Sequence, residues 1–127
     1  MDTVIMAIDP GYSTGAVIIG LDGNMVGGRE IETEEEVLDW IIGSRPNLVI
    51  IEDFVGAGPR TKEAITVLKF IGKIIGLCYV IRIPVVMQAP QVRIPLHHDA
   101  EELLPKGTSV HIVDAFAHAL AWLEREG

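Results

Sequence analysis

The sequence predicts an α/β protein, with a mixed five-stranded sheet flanked by helices. Apolar runs of strand length, amphipathic helical segments between them and turn residues at their boundaries predict this class. The predicted element order is β-β-β-α-β-α-β-α, an antiparallel meander followed by strands that alternate with helices. Since 127 residues with 49% hydrophobic content can bury a core, we expect residues 1–127 to form one domain.

The first half of the chain predicts three strands, a helix and a fourth strand. Val4–Ile8 is apolar throughout, as in a strand that is covered on both faces. Asp22–Gly23 is a hairpin signal between the second and third strands. Thr33 with Glu36 forms a capping box ahead of an apolar helical stripe. The later strands of this half are Ala16–Gly20, Met25–Ile31 and NLVIIEDF, residues 47–54.

The second half predicts a long helix, a short strand and a last helix. The long helix runs over Thr61–Val80, with a continuous apolar side. VVM, residues 85–87, is the fifth strand. Residues 89–108 contain prolines and histidines and are expected to be irregular. Ser109 can cap a last helix over Val110–Glu126.

Charge is distributed unevenly along the chain. The formal net charge is −8, which argues against binding to nucleic acid. Between Arg60 and Arg93, however, six basic residues accompany a single acid, Glu63. This basic middle could face a polyanion, although two solvated helix faces of opposite sign would give the same composition.

The sequence also predicts a protein of the cytoplasm. Cys78 is the only cysteine, so an internal disulfide is excluded. No secretory signal precedes the first strand. The apolar region Ile65–Met87 is interrupted by Lys69, Lys73 and Arg82, which argues against a membrane span. We therefore expect no membrane partner.

Two acids end apolar strands of the predicted sheet. Asp9 follows Val4–Ile8, and Glu52 ends the apolar part of the fourth strand. Acids are rarely buried unless they are paired or bind a metal, and ligands bind at the carboxyl ends of strands in α/β sheets. Gly11 and Gly15 permit a tight turn after Asp9 and leave room for another backbone segment to approach.

A polar stripe on the last helix supplies the other members of a cluster. In HIVDAFAHALAW, Asp114 and His118 lie within about 60° of His111 on the helical wheel. Against the first and fourth strands, the helix completes a cluster of Asp9, Glu52, Asp114 and His111. Crowded carboxylates repel unless cations lie among them, and hard oxygen ligands suit Mg²⁺ or Mn²⁺. Two such ions are a known arrangement for phosphodiester hydrolysis. The sequence contains no phosphate-binding loop motif, so we expect no nucleotide cofactor.

Three segments, AIDPGYSTGAVI, VIIEDF and HIVDAFAHALAW, resemble the signature segments of the RuvC-like Holliday junction resolvases, which have the ribonuclease H-like fold. The resemblance covers nearly the whole chain, which looks like the short phage-type members. It implies a homodimeric endonuclease that cuts four-way junctions and other branched DNA with two Mg²⁺ or Mn²⁺ ions per site, in a bacterial or phage-infected cell. By resemblance, Asp9, Glu52 and Asp114 are catalytic, metal-binding carboxylates, and His111 is the fourth such residue.

The resemblance also implies surfaces for DNA and for a second copy of the chain. Family members pack their long central helices together, which would make Gly72 and Gly76 a close-contact seam, although bulky neighbours within the chain would also explain them. The family's glycine- and lysine-rich stretch after the fifth strand is replaced by QAPQVRIPLHH, in which Arg93 is the only base besides histidine. The candidate DNA-binding residues are Arg60, Lys62, Lys69, Lys73, Arg93 and Phe54.

Other functions and roles stay open. A YqgF-type ribonuclease shares the first strand and the acids but acts on RNA, and a non-catalytic nucleic-acid-binding dimer could keep the fold. An actin-like phosphotransferase also begins with an Asp-x-Gly turn, but it needs two such domains around a nucleotide. Strand alternation points Asp53 away from the Glu52 face. His118 either supports the site or is an ordinary helix residue, and His97–His98 are expected at the surface of a loop.

Overall fold

The computed structural model describes residues 2–11, 13–53 and 61–126. The strands are β1 Val4–Asp9, β2 Thr14–Gly20, β3 Met25–Ile31, β4 Leu48–Glu52 and β5 Val85–Gln88. The helices are α1 Glu34–Ser44, α2 Lys62–Ile81, α3 Ile94–Leu103 and α4 Val110–Glu126, and a 3-10 turn, Pro90–Arg93, precedes α3.

The five strands form one mixed sheet in the order β3-β2-β1-β4-β5. The pairs β1–β2 and β2–β3 are antiparallel, whereas β4 runs parallel to both β1 and β5. The predicted mixed five-stranded sheet, which begins with an antiparallel meander, is therefore confirmed. Because β1, β4 and β5 run in one direction, their carboxyl ends lie at the same edge of the sheet.

Side-chain alternation along the central strands divides the core into two layers. On β1, Met6 and Ile8 face the helices α1 and α2, whereas Ile5 and Ala7 face α3 and α4. Helices thus cover both faces of the sheet, as predicted. The buried helix residues are Val37, Ile41, Phe70, Ile71, Ile74 and Cys78 in the first layer and Ala100, Val113, Ala115, Phe116, Ala117 and Ala119 in the second.

The two predicted hydroxyl caps are confirmed. Thr33 Oγ1 accepts a hydrogen bond from the backbone N–H of Glu36 at 3.3 Å, at the start of α1. Ser109 Oγ accepts from the backbone N–H of His111 at 3.2 Å, and α4 begins at the residue after Ser109. Each hydroxyl satisfies one of the backbone donors that a helix leaves unpaired at its first turn.

The segment after β5 differs from the prediction. Residues 89–108, expected to be irregular, contain the 3-10 turn and α3. Pro90 and Pro95 stand in the first turns of these two elements. A missing N–H costs little there, because the first backbone donors of a helix have no intrahelical partner. The prolines that suggested a loop instead begin helical turns.

The helix α2 buries one side and exposes the other. Phe70, Ile71, Ile74 and Cys78 pack in the first core layer. By length and apolar composition α2 could also cross a membrane. A helix packed on a protein core has the same features, and the four buried residues account for part of its apolar character. Val67, Leu77 and Ile81 also pack against this layer, whereas the exposed large apolar residues of α2 are Ile65, Leu68, Ile75, Tyr79 and Val80.

Candidate active site

Three neighbouring strands end in polar residues at one edge of the sheet. In the parallel pair β1–β4, Ile8 lies beside Ile51, so the residues that follow, Asp9 and Glu52, end the two strands side by side. Glu52 in turn pairs with Gln88, the last residue of β5. By strand alternation all three side chains point to the face that α4 covers. The two predicted strand-end acids therefore meet.

A close backbone contact between β2 and α4 brings the helix to this edge. Gly15 pairs with Asp9 across the β1–β2 ladder. A Cβ atom on Gly15 would overlap the backbone carbonyl of His111. Only glycine leaves room here, so the first turn of α4 rests directly on β2. The space predicted for an approaching backbone segment is thus taken by the helix that carries His111 and Asp114.

The predicted cluster lies at the boundary between core and solvent. The side chains of Asp9, Glu52 and Asp114 are 11%, 15% and 14% exposed, and that of His111 is 39% exposed. His111 Nδ1 lies 3.9 Å from Asp9 Oδ2, which is too far for a hydrogen bond. Acids from β1, β4 and α4 thus share one partly buried site, with His111 at its rim.

The cluster distributes its charge unequally between Asp9 and Glu52. Burial, the neighbouring Glu52 carboxylate and the charge of Asp114 raise the pKa of Asp9 to about 8. Burial would also raise the pKa of Glu52, but hydrogen bonds from His118, Asp9 and Arg93 outweigh it and lower that pKa to about 2. In the metal-free protein, the first proton that this pair takes up therefore goes to Asp9, which directs it to Glu52.

A buried histidine supports Glu52 from the side of the core. His118 is fully buried, with Nε2 2.9 Å from Glu52 Oε1 and Nδ1 2.7 Å from the side-chain amide of Gln88. Both partner atoms, Glu52 Oε1 and Gln88 Oε1, are acceptors, so each ring nitrogen of His118 donates to the oxygen that it faces. Gln88 was not among the predicted site residues, although it too is a polar residue at the end of an apolar strand.

Arg93 and His97 reach the cluster from the segment after β5. Arg93 Nε lies 3.0 Å from Glu52 Oε1, and its Nη1 lies 3.6 Å from Asp114 Oδ1. His97 belongs to α3 and places Nδ1 3.3 Å from the same Asp114 oxygen, so the expected surface position in a loop is wrong for this residue. His98 is exposed, as expected. Because this segment was predicted to be a loop, the contact between His97 and Asp114 was not predicted.

The donor set fits a divalent cation such as Mg²⁺ or Mn²⁺. The carboxylates supply hard oxygens, and His111 supplies a nitrogen. Asp114 Oδ1 is buried without a hydrogen-bond partner among the described residues, which suits an oxygen that binds a cation. Within the same residues, no three His, Cys, Asp or Glu side chains are close enough together to hold an ion. Because Arg93 lies between Glu52 and Asp114, ion binding requires these side chains to rearrange.

The predicted DNA contacts on α2 differ in their surroundings. Lys62 and Lys69 are exposed. Lys73 instead donates a hydrogen bond to Glu34 of α1 at 2.7 Å, so part of its charge is already compensated. Of the other three predicted contacts, Arg93 lies against the acids of the cluster, and Arg60 and Phe54 lie outside the described residues.

The two glycines of α2 have no explanation in the described part of the chain. A Cβ atom on Gly72 or Gly76 would meet no atom within 4 Å among the described residues. Bulky neighbours there are therefore not the reason for glycine.

Asp53, predicted to point away from the cluster, donates its backbone N–H to the carbonyl of Gln88 at 2.6 Å.

Solved structures share this architecture over nearly the whole chain. Thermus thermophilus RuvC in complex with a Holliday junction substrate is 18% identical, with a TM-score of 0.77 over 98% of this chain and 96% of that chain. The chain has the fold of RuvC. A second structure of T. thermophilus RuvC gives a TM-score of 0.78 at the same identity and coverage.

A viral protein shares the RuvC fold with this chain as well. Fowlpox virus resolvase in complex with Holliday junction DNA is 15% identical, with a TM-score of 0.64 over 98% of this chain and 99% of that chain. No family model and no curated protein matches the sequence. The resemblance predicted from three short segments, and the ribonuclease H-like sheet with flanking helices, are thus confirmed at the level of the fold.

Proposed function

We propose that the chain is a metal-dependent endonuclease that cuts branched DNA, four-way junctions above all. The observation that carries the proposal is the meeting of Asp9, Glu52 and Asp114 at the carboxyl edge of the sheet. Two of the similar structures, a bacterial RuvC and a poxvirus resolvase, hold Holliday junction DNA. The shared fold supports the choice of substrate, and the acid cluster supports the chemistry.

Four side chains would hold two Mg²⁺ or Mn²⁺ ions. Asp9 would ligate both ions, Glu52 and Asp114 would each ligate one, and His111 would bind the second ion or orient the attacking water. When bound, two such ions activate water and stabilise the leaving oxygen of a phosphodiester. Because burial and neighbouring acids raise the pKa of Asp9, this residue would give up its proton as it takes up the ions.

The residues behind the cluster would orient its central ligand. His118 and Gln88 form a buried hydrogen-bonded chain that ends at Glu52 Oε1. Partners of this kind fix the orientation of metal-binding side chains. Glu52 Oε2, which accepts neither from His118 nor from Arg93, would be the oxygen directed to an ion.

Two copies of the chain would pair through the exposed side of α2. This side carries exposed apolar residues and a glycine at alternating spacings of three and four, which is the spacing of a helix–helix seam. These residues are Ile65, Leu68, Gly72, Ile75 and Tyr79. With no Cβ, Gly72 and Gly76 would let the partner helix approach closely. A two-fold dimer carries two sites and can nick two symmetric strands of a four-way junction.

Basic residues around the site would contact the phosphates. Lys62 and Lys69 are exposed on α2, and Arg60 and Phe54 belong to the same proposed surface by sequence. Because basic side chains that contact phosphates displace their counterions, DNA binding would weaken as salt rises. The enzyme would act in the cytoplasm of a bacterial or phage-infected cell.

A panel of labelled substrates tests the proposed specificity. The panel contains a four-way junction, linear duplex, single-stranded DNA and an RNA–DNA hybrid, each with Mg²⁺, Mn²⁺ or chelator. We expect metal-dependent paired nicks in the junction, with 5′-phosphate and 3′-hydroxyl ends. Cleavage of RNA alone would instead assign the site to a YqgF-type ribonuclease. Junction binding without cleavage in either metal would make the chain a non-catalytic binding protein.

A further inference from the structure

The guanidinium of Arg93 connects two of the three acids. It lies between β4 and α4, with Nε 3.0 Å from Glu52 Oε1 and Nη1 3.6 Å from Asp114 Oδ1. The side chain is 28% exposed, so both ion pairs are partly shielded from solvent and salt. Arginine does not lose its proton in proteins, so this positive charge is permanent.

The backbone presents Arg93 to the cluster from a short, restricted segment. Arg93 ends the 3-10 turn that begins at Pro90, directly after β5, and α3 begins at the next residue. Pro95 stands in the first turn of α3, and the N–H of Val92 donates to the carbonyl of Ala89 at 3.0 Å. Pro90 and Pro95 restrict the backbone before and after Arg93. The side chain of Arg93 can therefore move away from the acids more freely than its main chain can.

A guanidinium and a divalent cation would compete for the same oxygens. Glu52 and Asp114 carry like charges at one site, and Arg93 contacts both. These two side chains are also proposed metal ligands. Two cations next to one carboxylate oxygen repel each other strongly in a partly buried site. Arg93 and a bound ion therefore exclude each other from the space between Glu52 and Asp114.

We propose that Arg93 is a built-in counter-ion of the acid cluster, which stands between Glu52 and Asp114 in the metal-free protein and leaves when a divalent cation binds. The inference rests on the proposed function, since it takes the cluster as the metal site. It assigns Arg93 a positioning role, because the residue holds the acids together before the ions arrive and lowers the affinity of the site for them. After release, the guanidinium stays at the mouth of the site, within reach of a DNA phosphate.

Mn²⁺ titration of the wild type and Arg93→Gln tests this role, with the melting temperature as the readout. Without its competitor, Arg93→Gln should reach half-saturation at a Mn²⁺ concentration roughly three- to tenfold lower than the wild type. Its metal-free form should melt at a lower temperature, because the two acids lose their counter-ion. Equal or weaker Mn²⁺ binding by Arg93→Gln would overturn the proposal.

Two further variants separate the contact from charge alone. Arg93→Lys keeps the charge but loses the planar fork, so its Mn²⁺ affinity should fall between those of the wild type and Arg93→Gln. If Arg93→Gln folds only when Mn²⁺ is present, Arg93→Lys provides the comparison of affinities. Lys106→Gln removes one positive charge from an exposed position between α3 and α4. A gain in Mn²⁺ affinity in Lys106→Gln as large as that in Arg93→Gln would reveal a long-range charge effect and overturn the proposal.

The behaviour of the wild type separates this inference from the proposed function. Suppose that Mn²⁺ stabilises the wild type, that Asp9→Asn abolishes this effect and that Arg93→Gln binds Mn²⁺ as the wild type does. The counter-ion role is then refuted, and the nuclease proposal stands. If Mn²⁺ does not stabilise the wild type and no nucleic acid is cut, the proposed function and the counter-ion role fail together.

Discussion

At the scale of single residues, Asp9 is a carboxylic acid whose ionised form is strongly disfavoured by burial and by neighbouring acids. Burial, Glu52 and Asp114 raise its pKa from 3.8 to about 8 in the folded protein. Over that range the folded protein keeps a proton that the unfolded chain releases. The contribution of Asp9 to the free energy of unfolding of the metal-free protein therefore falls as the pH rises from 3.8 through about 8. A cation bound at this site would replace the proton, so that ionised Asp9 would no longer destabilise the folded protein.

Asp9→Asn should therefore leave the metal-free protein as stable as the wild type, or more stable. The difference should grow toward the upper end of this pH range, because only the wild type must then bury a second ionised carboxylate. Melting curves in chelator over a series of pH values measure it. Asp53→Asn, the same change beside Glu52, should not reproduce the pH dependence. A clear loss of melting temperature in Asp9→Asn would show that Asp9 is structural.

A second residue-scale prediction concerns His118. His118→Leu fills the buried space but removes the N–H that reaches Glu52, so Mn²⁺ affinity should fall about 10- to 100-fold. His118→Gln, which keeps a donor, should retain more of that affinity. Mn²⁺-dependent shifts in melting temperature measure both variants. Wild-type affinity in His118→Leu would contradict the idea that this residue orients Glu52.

The sequence predicted the acids because strands and helices have fixed periods. Asp9 and Glu52 follow apolar runs, and the helical wheel places Asp114 and His118 on one stripe. The same wheel cannot say how deep a side chain lies, so the full burial of His118 and its contact with Gln88 emerge only from the packing of α4 on the sheet. The ion pairs of Arg93 likewise depend on tertiary contacts between β4, α4 and the turn after β5.

At the scale of elements, the sequence analysis did not predict the helix α3, because the prolines of this segment suggested a loop. Pro95 is consistent with a loop and with the first turn of a helix, since neither needs its N–H. Tertiary packing of Ala100 in the second core layer favours the helix. This difference has consequences for the site, because α3 carries His97 and its start positions Arg93.

The contact between β2 and α4 gives an element-scale prediction. Gly15→Ala would force α4 away from β2, because its Cβ overlaps the His111 carbonyl. We expect a loss of about 1–3 kcal/mol in the free energy of unfolding and a loss of Mn²⁺ stabilisation, as His111 and Asp114 move away from the strands. Denaturant unfolding with and without Mn²⁺ measures both effects.

Gly43 provides the matched control for this change. It lies in α1, and a Cβ atom there would meet nothing within 4 Å among the described residues. Gly43→Ala should leave stability unchanged or raise it by up to about 1 kcal/mol, because alanine is the better helix former. Equal stability of Gly15→Ala and the wild type would show that α4 does not depend on this close approach.

At the scale of the whole molecule, the exposed stripe on α2 is a feature that contacts within the described part of one chain do not explain. Ile75 stands between Gly72 and Gly76 and is 40% exposed. Ile75→Glu should convert the proposed dimer into a monomer, because it would place like charges opposite each other at the proposed two-fold seam. Light scattering after size exclusion measures the mass. Val26→Glu, an equivalent change at an exposed position of β3, should leave the dimer intact, and a monomeric wild type would refute the seam.

The central claim is that the acid cluster cuts branched DNA with the help of metal ions. The most direct measurement compares cleavage of a labelled four-way junction by the wild type and by Asp9→Asn, in Mg²⁺ and in chelator. We predict paired nicks by the wild type in Mg²⁺ only, with junction binding but no cleavage by Asp9→Asn. Nicks that persist in Asp9→Asn or in chelator would contradict the claim, as would a wild type that cuts no junction with Mg²⁺ or Mn²⁺.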